Sequence, residues 1–317
     1  MAEGPAPASP RVSVIVVAYR SAGCLAACLN ALQPAVTEGL AEAIVVDNAS
    51  PDESAAIVER SFPWARLVRS PKNLGFAGGV NLGLRESRAP KVMLLNPDAE
   101  VGRDAIAGML AWLDAHPAVG AVGPRVVRAS GRTEVTAGFR PTMRTQVAEA
   151  FGLFLFARWV PAWRSSMLLP TPGTPTPVDV LSGCCMVIPR RVLDRVGPFD
   201  ERFFMYVEDV DWCVRAREAG YEVHYLPQFQ VRHERSHGGA NESLTPMAGG
   251  DNLERYFDKH GVPHSKAALL WVRRVHDFTR MLWLLLRGLG GQPGAYREAQ
   301  RFGLTLRASF ARPAARA

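Results

Sequence analysis

Cysteine is scarce in this chain of 317 residues: five in all, Cys24, Cys28, Cys184, Cys185 and Cys213. The number is odd, and no pairs are spaced as zinc ligands are, so neither a disulfide framework nor a zinc site is expected. Adjacent Cys184 and Cys185 suit a buried strand, and all five read as reduced thiols of a cytosolic protein. Long apolar runs are also missing. No stretch reaches the roughly 18 apolar residues of a spanning helix, and the opening MAEGPAPASP has no apolar signal region. The expectation is a chain with no simple secretion signal and no transmembrane anchor. Most of the chain lacks excess charge of either sign. From Gly261 onward ten Lys/Arg face two acids, Asp277 and Glu298, so the net +7 resides in that tail and residues 1–260 sum to −1. A polyanionic partner, whether a membrane surface or a nucleic acid, therefore concerns the tail and not the main domain. No internal repeat is present.

What is present is a strand–helix alternation. Residues 1–10 read as a flexible lead-in. Val12 to Ala18 is a continuous β-branched run, the mark of a strand buried on both faces. Further strands are expected at Ala43–Val46, Ala65–Val68, Lys91–Leu95, Val119–Val122, Val178–Ile188 and Tyr221–Tyr225. Helices are expected near Ala22–Leu32, from Asp52 (with Ser50 or Asp52 as cap), after the glycine-rich segment that begins at Asn73, at Asp104–Ala115, from Arg190 to Gly197, and at Val207–Ala219. Such alternation predicts a parallel α/β sheet flanked by helices. Ligands of such sheets sit at the carboxyl ends of the strands. This directs attention to Tyr19, Asp47, Asn48, Asn96 and Asp98. The stretch from about 131 to 177, rich in Pro, Thr and aromatics, reads as a variable excursion, helical over Val147–Trp159 and otherwise loop.

Three clusters carry chemistry. Asn96-Pro97-Asp98 follows a strand, where a carboxylate can hold a divalent cation that bridges two phosphates; oxygen ligands suit Mg²⁺ or Mn²⁺. The same carboxylate would also serve as a turn or cap residue. The segment Asn73-Leu74-Gly75-Phe76-Ala77-Gly78-Gly79-Val80-Asn81-Leu82-Gly83 offers glycines for close backbone approach to a sugar or phosphate, and amides for its hydroxyls. It lacks the Lys-Ser/Thr ending of a P-loop, which excludes that type of ATPase. Glu208-Asp209-Val210-Asp211 places three carboxylates at a helix start, where the dipole favours them. Asp211 and Arg215 are four apart and predict a structural ion pair. Glu208 and Asp209 have no such partner in the next turn, so they are the candidates for acid–base work on an acceptor hydroxyl. His233, after a short apolar stretch, is a further candidate to complete a cation shell or touch a phosphate.

In this order the motifs VSVIVVAYRS, VVDNAS, NLGFAGGVNLG, LLNPDAE, SGCCMVIPR and GPFDERFFMYVEDVDWCVRAREAGY resemble the family 2 inverting glycosyltransferases, especially their rhamnosyltransferase-like branch. The match spans about Val12 to Gly261. It implies a GT-A-type fold, Rossmann-like, with a mixed sheet at the acceptor end, over residues 11–262. The 131–177 excursion then lies on the acceptor side, and 263–317 form a C-terminal helical extension. The resemblance makes Asp209 the catalytic base with Glu208 beside it. It gives the nucleotide sugar Ala18, Tyr19, Asp47, Asn48, Asn73, Gly75, Phe76, Ala77, Asn81 and Asn96, and gives the metal Asp98 and His233. The chain departs from the family's Asp-x-Asp pattern in having Asn96 first, which leaves Asp98 as the sole carboxylate of that motif. The implied reaction transfers a sugar, rhamnose or another hexose, from a nucleoside-diphosphate donor to a hydroxyl of a glycan or polyprenyl-linked acceptor, in cell-envelope polysaccharide synthesis. A non-catalytic nucleotide-sugar-binding scaffold is the competing class. A nucleotidyltransferase would want a glycine-rich, basic loop where Ala18-Tyr19-Arg20-Ser21 stands.

The tail from Lys266 to Arg287 alternates apolar residues with Arg273, Arg274, Arg280 and Arg287. It reads as an amphipathic helix, either packed on the domain, forming a dimer contact, or lying on an anionic membrane. No specific nucleic acid is expected. The expected location is cytoplasmic, peripheral at the inner face of the plasma membrane.

Overall fold

The computed structural model describes residues 9–156, 159–160, 165–166, 172–234, 245–290 and 295–311. Most of the lead-in and parts of the 131–177 excursion lie outside the described residues. The chain divides into two compact units, one of residues 1–140 with 167–242 and one of 141–166 with 243–317.

The first unit is built on β1 (Val12–Ala18), β2 (Ala41–Asp47), β3 (Arg66–Arg69), β4 (Lys91–Leu95), β5 (Ala99–Val101), β6 (Val119–Arg128), β7 (Ala137–Gly138), β8 (Thr176–Val178), β9 (Val180–Leu181), β10 (Cys185–Pro189) and β11 (Glu222–His233). Its helices are α1 (Leu25–Thr37), α2 (Ser54–Ser61), α3 (Gly75–Glu86), α4 (Arg103–Ala115), α6 (Arg190–Val196) and α7 (Glu208–Glu218), while α5 (Met143–Ala150) belongs to the second unit. The nine-stranded sheet runs β3-β2-β1-β4-β10-β6-β11-β5, with β8 on β11. β3, β2, β1 and β4 are parallel, β10 is antiparallel to both β4 and β6, and β11 is parallel to β6. The mixed half thus begins at β10, as the resemblance implies.

The fully buried run of β1 has a helix layer on each face. Val12, Val14 and Val16 meet Leu25, Cys28, Leu29 and Leu32 of α1 and Met109 and Leu110 of α4. Each such buried leucine contributes roughly 2 kcal/mol. On the other face α3 lies so close that a Cβ on Gly79 would meet Val17 at 2.6 Å, and one on Gly83 would meet Ile15 at 2.5 Å. Gly79 and Gly83 therefore serve helix–sheet contact, and only Gly75, at φ +73°, makes the turn.

Several elements outrun their sequence signals. α1 continues through Pro34 to Thr37. The bond that Pro34 forfeits leaves the carbonyl of exposed Asn30 open to water. The strands expected at Val119–Val122 and Tyr221–Tyr225 are ten and twelve residues long. Pro124 and Pro227 hid this. A register shift between Leu226 and Gln230 absorbs Pro227 in a bulge and lets pairing resume to His233. The expected strand Val178–Ile188 is split into β8, β9 and β10. Instead of the cap foreseen from Ser50 or Asp52, α2 has Glu53 at that position without a side-chain cap. Asp52 braces the turn by accepting from the amides of Ala22 (3.1 Å) and Ser54 (3.2 Å).

The second unit holds α5, a 3₁₀ turn (Leu153–Phe156), α8 (Thr245–Lys259), α9 (Lys266–Leu289) and α10 (Ala295–Ala311). Helix over Val147–Trp159 is thus shorter than expected. Thr142 and Thr145 form a capping box that starts α5. Thr279 on α9 donates to the Ala150 carbonyl at 2.9 Å, joining the two helices.

Gly83→Ala is expected to overpack Ile15 and cost about 2 kcal/mol, lowering the melting temperature by roughly 5 °C. Gly173→Ala, where nothing lies within 4 Å, should stay within about 0.5 kcal/mol. Thermal melts of the two variants check the contrast.

Candidate active site

The residues singled out in the sequence gather at the carboxyl edge of the parallel strands. β1 ends at buried Ala18, with half-exposed Tyr19 next, and β2 ends at Asp47 in register with Ala18. Asp47 accepts from the Ser50 amide at 3.3 Å, and its carbonyl accepts from Ser70 at 2.9 Å. Asn48 is buried and its amide is fully engaged. It donates to Asn73 Oδ1 (3.0 Å) and to the Gly75 carbonyl (2.9 Å), and accepts from the Leu74 amide (2.9 Å). Asn48 thereby shapes the loop before α3. Asn81 is likewise committed: it donates to the Phe199 carbonyl and to Glu201, and accepts from the Phe199 amide at 3.0 Å. Ala77 is buried within α3. Of the glycine-rich segment, half-exposed Asn73 and Phe76 remain at the edge. The Phe76 amide donates to the Phe204 carbonyl at 2.8 Å.

α7 brings in the acids. Its first turn carries Glu208, Asp209 and Asp211. Trp212 fixes the helix, donating to the Gly197 carbonyl (3.1 Å) and stacking on Phe199. The expected pair forms, with Arg215 Nε 2.9 Å from buried Asp211, and the same guanidinium donates to the carbonyls of Val196 and Pro198. Asp209 stands apart from this pair. Its Oδ2 accepts from the Gly183 amide and its Oδ1 from the Val210 amide, each at 2.8 Å. Burial pushes the Asp209 pKa up, and the two amides pull it partly back. Burial and the neighbouring Asp209 push Glu208 well above the carboxylate range, and its Oε2 has no hydrogen-bond partner among the described residues. The two acids therefore differ. Burial favours the neutral form of Glu208, whereas Asp209 is half-buried and has amides that favour its anion.

The backbone around this edge is strained. Among the described residues, the non-glycine residues with positive φ are Arg20 (53°), Ala49 (60°), Tyr206 (69°) and Val207 (75°). They follow β1, follow β2 and immediately precede α7. Each costs about 1–3 kcal/mol, and left-handed geometry is least tolerable for β-branched Val207.

A second centre lies at the end of β4. Asp98 sits in the turn between β4 and β5, with half-exposed Asn96 two residues before it. Pairing of β5 with β11 sets His233 opposite Ala99. His233 Nε2 is 3.0 Å from Asp98 Oδ1, and its Nδ1 is 3.1 Å from Glu134 Oε2. Burial opposes charge on this ring, but hydrogen bonds with Asp98, Cys184 and Glu134 outweigh it and raise the pKa to about 12. The imidazolium thus donates to both carboxylates. Among the described residues no three His, Cys, Asp or Glu side chains converge as a metal cage. Asp98 fits a hard cation whose remaining ligands are phosphate and water oxygens, the usual state of Mg²⁺. Glu134 and Gly183 were not among the residues chosen from sequence. Glu134 lies in the unpatterned 131–177 stretch, and Gly183 acts through its amide, which leaves no side-chain signal.

Comparisons with known proteins bear on the family and the fold. The glycosyl transferase family 2 model matches residues 13–197, more than half of the chain. The chain is 30% identical over 276 residues, 82% of its own length and 88% of the other's, to an N-acetylglucosaminyl-diphospho-decaprenol L-rhamnosyltransferase of Mycobacterium tuberculosis. Its fold is similar to that of the mannosyltransferase PcManGT from Pyrobaculum calidifontis, solved with GDP-Man and Mn²⁺ (TM-score 0.54, 20% identity, covering 96% of this chain and 86% of that one). It is also similar to S. aureus TarS 1-349 in complex with UDP-GlcNAc (TM-score 0.55, 16% identity, covering 84% and 71%). A Rossmann-like parallel half joined to a mixed half is the GT-A arrangement, and the chain belongs to glycosyl transferase family 2.

Proposed function

We propose that this glycosyltransferase moves a hexose, with rhamnose the leading candidate, from a nucleoside-diphosphate sugar to a hydroxyl of a lipid-linked glycan, with inversion, in cell-envelope polysaccharide synthesis. The observation that carries the reading is Asp209. Its carboxylate sits at the carboxyl edge, oriented by two backbone amides, next to the loop that Asn48 shapes. Each of its oxygens keeps a lone pair to accept a proton. In the reaction the acceptor oxygen attacks the anomeric carbon while Asp209 takes the hydroxyl proton, and the bond to the nucleoside diphosphate breaks on the opposite face. Burial disfavours the Glu208 anion, and with it a second negative charge that would repel the departing diphosphate. Asn73, Phe76 and the residues after β1 and β2 would hold the donor. Asp98 would hold Mg²⁺ or Mn²⁺, which when bound neutralises charge on the leaving diphosphate. His233, whose Nε2 lies 3.0 Å from Asp98 Oδ1, would hold that carboxylate in place. The relative from M. tuberculosis is named for a decaprenol-linked acceptor; a polyprenyl-linked acceptor here would agree with a basic tail that lies on the inner face of the plasma membrane.

A screen of nucleotide sugars for hydrolysis and thermal stabilisation with Mg²⁺ or Mn²⁺ tests the reading; a chain that responds to none of them contradicts it. With the donor in hand, Asp209→Asn is expected to lower kcat by roughly 10²–10⁴-fold with donor affinity nearly intact. Glu208→Gln should stay within about tenfold, since burial favours the neutral form that Gln copies. Steady-state kinetics of the pair decide between them. Because the Asp209 pKa is raised and its anion is the active form, kcat/KM should fall as pH drops through a midpoint above that of an ordinary carboxylate. A pH–rate profile with an ordinary midpoint would remove Asp209 as base. Asp98→Ala should raise the metal concentration for half-maximal donor binding by at least about tenfold, and an unchanged metal titration would take Asp98 out of the site.

A further inference from the structure

The second unit exposes an apolar surface that the transfer reaction does not use. On α9, Trp271, Phe278, Leu282, Leu286 and Leu289 are between 47% and 75% exposed. Their spacing places them within about 80° of one another around the helix, a single stripe, with Arg273, Arg280 and Arg287 on the opposite side. The stripe does not end with α9. Along one flank, Phe151 after α5 packs its ring 5.9 Å from Trp271. Beyond it, Leu155 and Trp159 are 69% and 70% exposed, with Phe156 beside them at 51%. On the other flank, Arg274 lies 4.1 Å over the ring of Phe310 on α10, itself largely exposed. Three segments distant in sequence thus form one surface of aromatic and aliphatic groups. Monomeric soluble proteins rarely expose such patches without a partner.

Charge selects the partner. The segment from Gly261 onward carries ten Lys/Arg against two acids. A second copy would bring one strongly net-positive segment toward another, which long-range repulsion disfavours. A layer of anionic headgroups would complement it while accepting Trp, Phe and Leu below. The guanidinium groups of Arg280 and Arg287 lie 4.9 and 4.3 Å over the two-fifths-exposed Trp283 ring, which sets aromatic surface and positive charge side by side on α9. Among the described residues no helix is long and apolar enough to cross a membrane, so this unit would lie on a bilayer rather than span it. We infer that the unit docks on an anionic lipid surface through a composite face, with the 3₁₀ turn Leu153–Phe156 and Trp159 inserting beside the α9 stripe. The inference rests on the reading of the tail as membrane-facing and extends it to a segment far upstream of the tail.

The test is co-sedimentation of the full chain with vesicles of phosphatidylcholine, with and without phosphatidylglycerol, alongside light scattering after size exclusion. The wild type is expected to partition onto the anionic vesicles at least about tenfold better than onto neutral ones. Leu155→Ser combined with Phe156→Ser should lower that partition by about tenfold or more. These side chains are exposed, so the melting temperature should not change. If the double variant binds like the wild type, the inserting turn is wrong while a membrane-facing tail stands. If the wild type itself stays in solution with anionic vesicles, both fall, and the chemistry assigned to Asp209 is untouched. Equal binding to neutral vesicles would remove the charge argument. A dimer that the double variant dissolves, without vesicle binding by either protein, would make the patch an interface between copies.

Discussion

Ser182-Gly183-Cys184, between β9 and β10, joins the two centres of the active edge. The Gly183 amide donates to Asp209, and the Cys184 carbonyl receives the Asn96 amide at 2.9 Å. The Cys184 thiol lies against His233. One short segment therefore fixes the proposed base on one side and the diphosphate end on the other. A Cβ on Gly183 would meet the Phe76 ring at 2.9 Å, so the donor loop closes on the same point. Because β10 is the strand at which the sheet changes direction, this segment emerges where the parallel donor half meets the mixed half. The proposed geometry follows from that placement.

Rigidity around this point is bought with strain. Tyr206 and Val207 take left-handed backbone so that α7 can start with its acids turned toward Gly183, and the Phe204 carbonyl pins the loop at Gly75 and Phe76. Trp212, Asp211 and Arg215 hold α7 from its far side, which lets the first turn keep an unfavourable approach. Burial then gives the two acids different surroundings. Glu208 is buried and its Oε2 has no hydrogen-bond partner among the described residues, whereas Asp209 is half-buried and accepts from two amides.

Much of this was legible in the sequence, and the limits have physical causes. β1 declared itself because a strand buried on both faces must be apolar at every position. The Asp211–Arg215 pair followed from helical spacing alone. The edge residues after β1, β2 and β4 followed from the strand order that a parallel sheet requires. Asn48 and Asn81 could not be read correctly, since an asparagine that faces a sugar and one that ties down a loop have the same composition and the same position. Gly79 and Gly83 had the same ambiguity, which the contacts with Val17 and Ile15 resolve. His233 was chosen, but its engagement with Glu134 depends on a strand that resumes beyond a proline-containing bulge. The joining of 141–166 with the tail is a long-range contact that no local pattern records.

The central claim is a single displacement at the anomeric carbon assisted by Asp209. The most direct measurement is the anomeric configuration of the newly formed linkage, read by NMR from a reaction with the donor sugar that the screen identifies. The account requires the configuration opposite to that of the donor. A product that retains the donor's configuration would contradict direct attack by the acceptor hydroxyl, and with it the role given to Asp209.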